Sequence, residues 1–266
     1  MATIVPMEQD MNVQQPPGAP FLSLAVLAYN ETKTIERAAQ LCSQALEAGD
    51  YTYELVLVDD GSTDGTRDQM IACSETLPNC RTIFHPKNLG IGAGIRTCYF
   101  GTTGQWATWL PADLQVDPAE LPRMIEMLNN CDVLVTRRGP RENLRRAMIS
   151  VIDRTMVRCL FGLNVPEIHW IKFFRRSVLD RMQLQSRSPT VDSEMLICAR
   201  KAGARFSHTL LDEKPRECGQ ATGASLKNLI NSTCDLLNLR FKGARLVDDG
   251  PATLPAHTDP FWTTDT

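Results

Sequence analysis

Trp106 to Pro118 reads WATWLPADLQVDP. It opens as a buried strand, because Trp106, Ala107, Thr108, Trp109 and Leu110 suit a pleated, packed surface. Pro111 has no backbone donor and is expected to end the ladder. Asp113 and Gln115 follow two apart, so in extended geometry they point to the same side. Asp117, Pro118 and Glu120 then open a helix as N-cap, first and third helical residues. A carboxylate and an amide oxygen at the end of a buried strand suit a hard cation. Mg²⁺ or Mn²⁺ takes a few protein oxygens and leaves room for a diphosphate. The same letters also fit a plain strand-to-helix turn with polar decoration, so the flanking chain must arbitrate.

Upstream, strands and helices alternate. Leu22–Ala28 (LSLAVLA) is a near-continuous apolar run, as in a strand covered on both faces. Tyr29-Asn30-Glu31 ends it, and Asn30 can cap a helix in which Ile35, Ala38, Ala39, Cys42, Ala45 and Leu46 recur at helical spacing. A second strand, Glu54–Val58, runs into the acidic turn Asp59-Asp60-Gly61-Ser62-Thr63-Asp64. Carboxylates accept hydrogen bonds, so this turn suits a base N–H or ribose hydroxyls rather than phosphate. A third strand, Arg81–Phe84, leads to His85-Pro86-Lys87-Asn88-Leu89-Gly90-Ile91-Gly92. Its glycines permit close backbone approach, and Lys87 is in reach of a phosphate. They follow the third strand rather than the first, which argues against a dinucleotide fingerprint. Downstream, Leu121, Met124, Ile125 and Leu128 form an apolar stripe, and Asp132–Thr136 is the next strand, followed by Arg137-Arg138. Alternation of this kind predicts an α/β fold with a mostly parallel sheet and right-handed crossovers.

The bounds agree. A chain of 266 residues, 43% apolar and 22% charged, is ordinary for a globular protein. A net charge of -3 argues against a nucleic-acid partner held by bulk basicity. No apolar run reaches membrane-span length. The 9 cysteines are scattered without a paired motif, which suggests structural thiols in a reducing cytoplasm. Residues 1–20 and 246–266 are expected to be disordered ends flanking one domain over 21–245.

Four ordered motifs carry a resemblance: Ala28-Tyr29-Asn30-Glu31, Val58 to Thr66 (VDDGSTDGT), Asn88-Leu89-Gly90-Ile91-Gly92, and Ala112-Asp113-Leu114-Gln115. Together they resemble glycosyltransferase family 2, in its dolichyl/polyprenyl-phosphate mannosyltransferase-like branch, over about residues 21–223. The resemblance implies a GT-A fold, with a nucleotide-sugar half near 21–138 and an acceptor half near 139–245. It implies nucleotide-sugar binding by Ala28, Tyr29, Glu31, Asp59 and Asp60, with Lys87, Arg137 and Arg138 near the diphosphate. It implies metal-diphosphate binding by Asp113 and Gln115, with Mg²⁺ or Mn²⁺. The branch usually has a carboxylate where this chain has Pro111, so weaker metal binding is expected, with the donor supplying more of the coordination.

The second half should receive the acceptor. Arg141–Leu163 reads as an amphipathic helix with Arg145, Arg146, Arg154 and Arg158 among apolar residues. It fits a packed helix with a solvated face or one lying on an anionic membrane. Residues 167–176, EIHWIKFFRR, resemble a family segment, with Glu167, Trp170 and Ile171 as departures. His169 reads as a structural histidine. Asp192 and Glu194 open the next helix, where the resemblance places an acidic residue facing the acceptor. Arg216, in PRECGQATG, resembles a family arginine loop that binds phosphate. Arg205–Leu211 is read as the last strand, before a closing amphipathic helix.

The expected chemistry is inverting transfer of a sugar from a UDP- or GDP-linked donor. A cation and arginines stabilise the charge that builds on the leaving diphosphate. A polyprenyl phosphate acceptor is already ionised and needs no base. A hydroxyl acceptor, the alternative, requires one from Asp192 or Glu194. A nucleotide-binding GT-A module without transfer activity is a further alternative. At most peripheral membrane association is expected, and a second copy of the chain is a candidate partner.

Overall fold

The computed structural model describes residues 18–139, 144–186, 188–214 and 226–246. The expected leading segment and tail, and Arg216, therefore lie almost wholly or wholly outside the described residues.

The elements of the first half follow the predicted order. They are β1 (Leu22–Ala28), α1 (Ile35–Glu47), β2 (Tyr53–Asp59), α2 (Thr66–Thr76), β3 (Cys80–Phe84), α3 (Ile91–Phe100), β4 (Trp106–Pro111), α4 (Leu121–Glu126) and β5 (Val133–Arg137). The remainder is α5 (Leu144–Phe161), β6 (Lys172–Arg175), α6 (Arg176–Leu179), β7 (Met182–Gln183), α7 (Val191–Lys201), β8 (Phe206–Leu210), α8 (Leu226–Lys242) and β9 (Arg245–Leu246). Seven strands form one sheet in the order β3-β2-β1-β4-β6-β5-β8. All neighbours in it are parallel except β6, which runs antiparallel to both β4 and β5. Antiparallel β6 was not foreseen: its Lys172-Phe-Phe-Arg175 is too short to reveal direction. Nor is β8 the last strand, because Arg245-Leu246 pairs antiparallel with Met182-Gln183 in a separate ribbon, one residue past the expected domain end.

Every residue of β1 is buried. A strand in the middle of a doubly covered sheet needs apolar side chains on both faces, and LSLAVLA supplies them, with Ser23 satisfied by Glu54 Oε1 at 2.6 Å. The crossovers β1-α1-β2 and β2-α2-β3 proceed one way. The next crossover returns through α3 to β4 on the other side of β1. With right-handed crossovers this puts α3 on the opposite face from α1 and α2. The direction reverses between β1 and β4, so the crevice at their carboxyl ends is where an open α/β sheet binds ligands.

Pro111 behaves differently from expectation. It stays in β4, in register with Leu27, and the ladder continues as Ala112 N–H donates to Leu27 O at 3.0 Å. On its other side β4 meets β6 only at Trp106 and Ala107, so a proline at the strand's end forfeits no sheet hydrogen bond there. Burial pushes the Cys42 thiol up to about 12, in line with a structural role.

Candidate active site

β1 and β4 open onto the crevice with Ala28-Tyr29 on one side and Ala112-Asp113 on the other. Ala28 is buried, and its carbonyl accepts from Asp60 N–H at 2.9 Å. Tyr29 follows with its ring exposed. Asn30 does not cap α1. It adopts φ 55°, its N–H donates to Ser62 Oγ, and its Oδ1 accepts from Thr63 N–H, each at 2.9 Å. Glu31 lies at the same junction: its N–H donates to Thr66 Oγ1 at 2.9 Å, and its carboxylate accepts from Thr34 Oγ1 at 3.0 Å. The ends of β1 and β2 are thus sewn together before any ligand arrives.

Asp59 and Asp60 are both buried, and each carboxylate serves the protein. Asp59 accepts from Ser62 N–H at 2.9 Å and from Nε and Nη2 of Arg67 at 3.2 Å. Asp60 contacts His85 Nδ1 at 2.7 Å and accepts from the N–H groups of Leu89 and Gly90 at 2.9 and 3.0 Å. A carboxylate has about four acceptor sites, so each aspartate keeps at most one for a ligand. Gly61, at φ +73°, lets the turn lie against the Lys87-Asn88 backbone: a Cβ there would meet the Lys87 carbonyl carbon at 2.1 Å. Lys87 itself is exposed on that turn.

The 111–117 segment is a turn rather than an extended run. Leu114 takes φ 58°, and Asp113 Oδ1 accepts from Gln115 N–H at 3.1 Å. This side-chain turn, not strand alternation, brings Asp113 and Gln115 together. Gln115 Nε2 donates to Glu213 Oε1 at 3.0 Å, and Gln115 O accepts from Lys214 N–H at 2.8 Å. Arg138 also reaches Glu213, at 3.2 Å. Its Nη2 donates to His169 O at 2.6 Å, and its guanidinium lies 3.8 Å from the centre of the Trp170 ring. Arg137, by contrast, is exposed. Asp117 is the expected N-cap, accepting from Ala119 N–H at 3.1 Å. A hydrogen bond from Lys214 holds its carboxyl below the usual range. Asp117 is therefore committed to structure.

The expected acceptor-side acids separate. Glu194 is fully buried and its two oxygens accept from the N–H groups of Gln185 and Ser186, each at 2.8 Å. It caps a turn, which corrects the expectation of a base there. Asp192 lies in a charged cluster. Lys172, fully buried, approaches Asp192 Oδ1 at 2.8 Å while its ammonium donates to the carbonyls of Ile168 and Trp170 at 2.6 and 2.7 Å. His169 Nδ1 is 3.3 Å from Asp192, and its Nε2 is 2.6 Å from Asp153. Burial disfavours the imidazolium, but the bonds to Asp153 and Asp192 outweigh it and raise His169 to about 9. Burial likewise acts against the Asp192 carboxylate, yet Lys172 and His169 hold its pKa below the ordinary value. An ionised, paired carboxylate of this kind is a weak proton acceptor.

Glu213, Trp170, Lys172 and Asp153 were missed as site neighbours. Glu213 stands 98 residues from Gln115 in sequence, and no local spacing announces such a pair.

A family profile described as "Glycosyl transferase family 2" matches residues 23–182. The chain belongs to glycosyl transferase family 2. A dolichyl-phosphate beta-glucosyltransferase of Trichomonas vaginalis is 26% identical over 243 residues, covering 84% of this chain and 74% of the relative. An undecaprenyl-phosphate 4-deoxy-4-formamido-L-arabinose transferase of Pseudomonas syringae is 28% identical over 224 residues, covering 82% of this chain and 64% of the relative. This chain therefore spans about two thirds to three quarters of these relatives. Among solved structures, glucosyl-3-phosphoglycerate synthase of Mycobacterium tuberculosis in complex with Mn²⁺, UDP-glucose and phosphoglyceric acid superposes with a TM-score of 0.63 at 17% identity, covering 82% of this chain and 80% of that one. The family 2 chain thus has the GT-A type of fold.

The donor set bears on the cation this family implies. No group of three His, Cys, Asp or Glu side chains converges as a closed cage among the described residues. The 111–115 turn instead offers one carboxylate and one amide beside Glu213. That set fits a hard cation that keeps water and phosphate oxygens in most of its coordination positions.

Proposed function

We propose that this family 2 protein is an inverting glycosyltransferase that moves a sugar from a nucleoside-diphosphate donor to a polyprenyl phosphate. The observation that carries the reading is the constellation at the β1/β4 crevice: the Asp113-Gln115 turn tied through Glu213 to Arg138. Oxygen donors and a guanidinium stand at one strand-end lip, where a leaving diphosphate needs charge compensation. Mg²⁺ or Mn²⁺, when bound by Asp113 and Gln115, would stabilise the charge that develops on the leaving diphosphate.

Each side chain then has a task. Tyr29 offers a ring face to the base, and Ala28 and Glu31 shape its floor. Asp59 and Asp60 hold the turn and offer one remaining acceptor site each to base or ribose. Lys87 and the exposed Arg137 lie on strand-end turns suited to phosphate contacts, while Arg138 is positioned by Glu213 and Trp170. Arg216, outside the described residues, completes the phosphate set.

The acceptor class rests on Asp192. Its carboxylate is neutralised by Lys172 and His169, so no strong base is ready for a hydroxyl. An acceptor phosphate, already ionised at neutral pH, needs positioning only. The two relatives, a dolichyl-phosphate and an undecaprenyl-phosphate transferase, favour the same class. Such an acceptor arrives in a membrane. No helix among the described residues is long and apolar enough to cross one. Helices α5 and α8 instead expose Met148, Val151, Ile152, Leu237 and Phe241, the last 85% exposed, beside the basic Arg158 and Arg240. Apolar and basic side chains on neighbouring helices suit an anionic lipid surface.

The test is a donor screen with UDP-, GDP- and dTDP-sugars, Mg²⁺ or Mn²⁺, and polyprenyl phosphate in anionic vesicles. Transfer dependent on lipid phosphate supports the reading. Transfer to water-soluble alcohols alone moves the assignment to the hydroxyl-acceptor alternative. Nucleotide binding without any turnover leaves a silent module.

A further inference from the structure

We propose that Glu213 is a ligand of the same divalent cation as Asp113. The inference rests on the metal-diphosphate reading above and adds a residue to it.

The 111–115 turn carries a single carboxylate, and a dication held by one carboxylate and one amide is under-compensated. Glu213 comes from the segment after β8 and is delivered to Gln115 by two contacts. Lys214 N–H donates to Gln115 O at 2.8 Å and fixes the backbone. Gln115 Nε2 donates to Glu213 Oε1 at 3.0 Å and fixes the side chain. Gln115 is thereby bracketed by Asp113 on its own turn and Glu213 on the other.

The amide hydrogens of Gln115 sit against a carboxylate, where positive charge is favoured. Amide oxygen and nitrogen exchange places by a half-turn of the terminal group. With a cation present, that half-turn presents Gln115 Oε1 beside Glu213 instead of Nε2, and adds an oxygen donor between the two acidic residues that already contact Gln115. Glu213 retains capacity for this. Its contacts with Arg138 Nη1 are long, 3.3 and 3.2 Å, and with the Gln115 bond they use three of about four acceptor sites. Arg138 remains alongside, suited to the phosphate oxygens that complete the shell. Pro111 occupies the end of β4, two residues before Asp113, and contributes no donor. Glu213 supplies the second negative charge from across the sheet.

The experiment is a titration of the full chain with MnCl₂ alone, followed by water-proton relaxation, with circular dichroism and melting as fold controls. Glu213→Gln keeps acceptor and shape but removes the charge. It is expected to weaken Mn²⁺ binding about 10–100-fold, comparably to Asp113→Asn. Adding Pro111→Asp to Glu213→Gln is expected to restore most of the loss, because a carboxylate returns to the turn. If Glu213→Gln unfolds, Glu213→Asp replaces it. That variant keeps the charge but withdraws it by one methylene, and should still weaken binding. Unchanged Mn²⁺ affinity in a folded Glu213 variant, alongside a loss in Asp113→Asn, overturns the role of Glu213 alone. Unchanged affinity in both variants overturns the metal turn itself.

Discussion

Two acidic turns follow the strands on either side of β1, Asp59-Asp60 after β2 and Asp113-Leu-Gln115 after β4. They look alike as letters and differ in what they bond to. The first spends six hydrogen bonds inward, on Ser62, Arg67, His85, Leu89 and Gly90. It locks the β2-α2 turn to the β3-α3 turn. In the second, Asp113 closes a turn onto Gln115, and Gln115 is then met by groups from remote chain, Glu213 and Lys214. The first turn spends its carboxylates on holding two loops of the fold together, whereas the second passes through the Gln115 amide to a charged side chain after the edge strand.

Substitutions can break or sharpen that contrast. The largest effect is expected on stability at the first turn. Asp60→Ala strips an acceptor from buried His85 and from the N–H groups of half-buried Leu89 and Gly90, and should cost about 3–5 kcal/mol, read by urea denaturation. A loss under 1 kcal/mol would erase the contrast. Asp113→Asn is expected to lower transfer by about 10²–10³-fold with little change in melting. Near-normal rates would place the reaction centre elsewhere.

A smaller effect concerns pH. His169 is raised from 6.5 to about 9 by Asp153 and Asp192 against the opposing effect of burial. The stability this contributes is complete below pH 6.5 and is lost as pH rises through 9. Wild type should therefore lose stability over that interval, and His169→Gln should flatten the profile. Equal slopes for both proteins would refute a charged His169. The smallest effect belongs to Asp117→Ala, which removes an N-cap and an exposed contact with Lys214. About 1 kcal/mol is expected, or a melting shift of about 2–4 °C, with transfer rates kept.

Much of this was legible in sequence. β1 announced itself because a doubly covered strand must be apolar throughout, and Asp117-Pro118 announced a helix start because capping is local. The pairing of Asp113 with Gln115 was foreseen for the wrong reason. A left-handed Leu114 cannot be read from an apolar letter, since that backbone state usually calls for glycine or asparagine. Glu194 was a candidate base because the resemblance places an acidic residue near it, but its oxygens are taken by the backbone N–H groups of Gln185 and Ser186, and backbone donors leave no mark in the letters. Glu213 and the Lys172-Asp192 pair depend on strand order, and strand order is a global property. The antiparallel entry of β6 is what sets it.

That strand has a practical corollary. β6 is threaded between β4 and β5, so a piece of chain from beyond residue 171 fills a slot bounded by strands that end at 111 and 137. Scissors applied near residue 139 would leave β4 and β5 with bare edges and no common neighbour, an invitation to mispairing with other molecules. Donor and acceptor portions are thus names for regions of one object, and neither is expected to be recoverable as a soluble fragment.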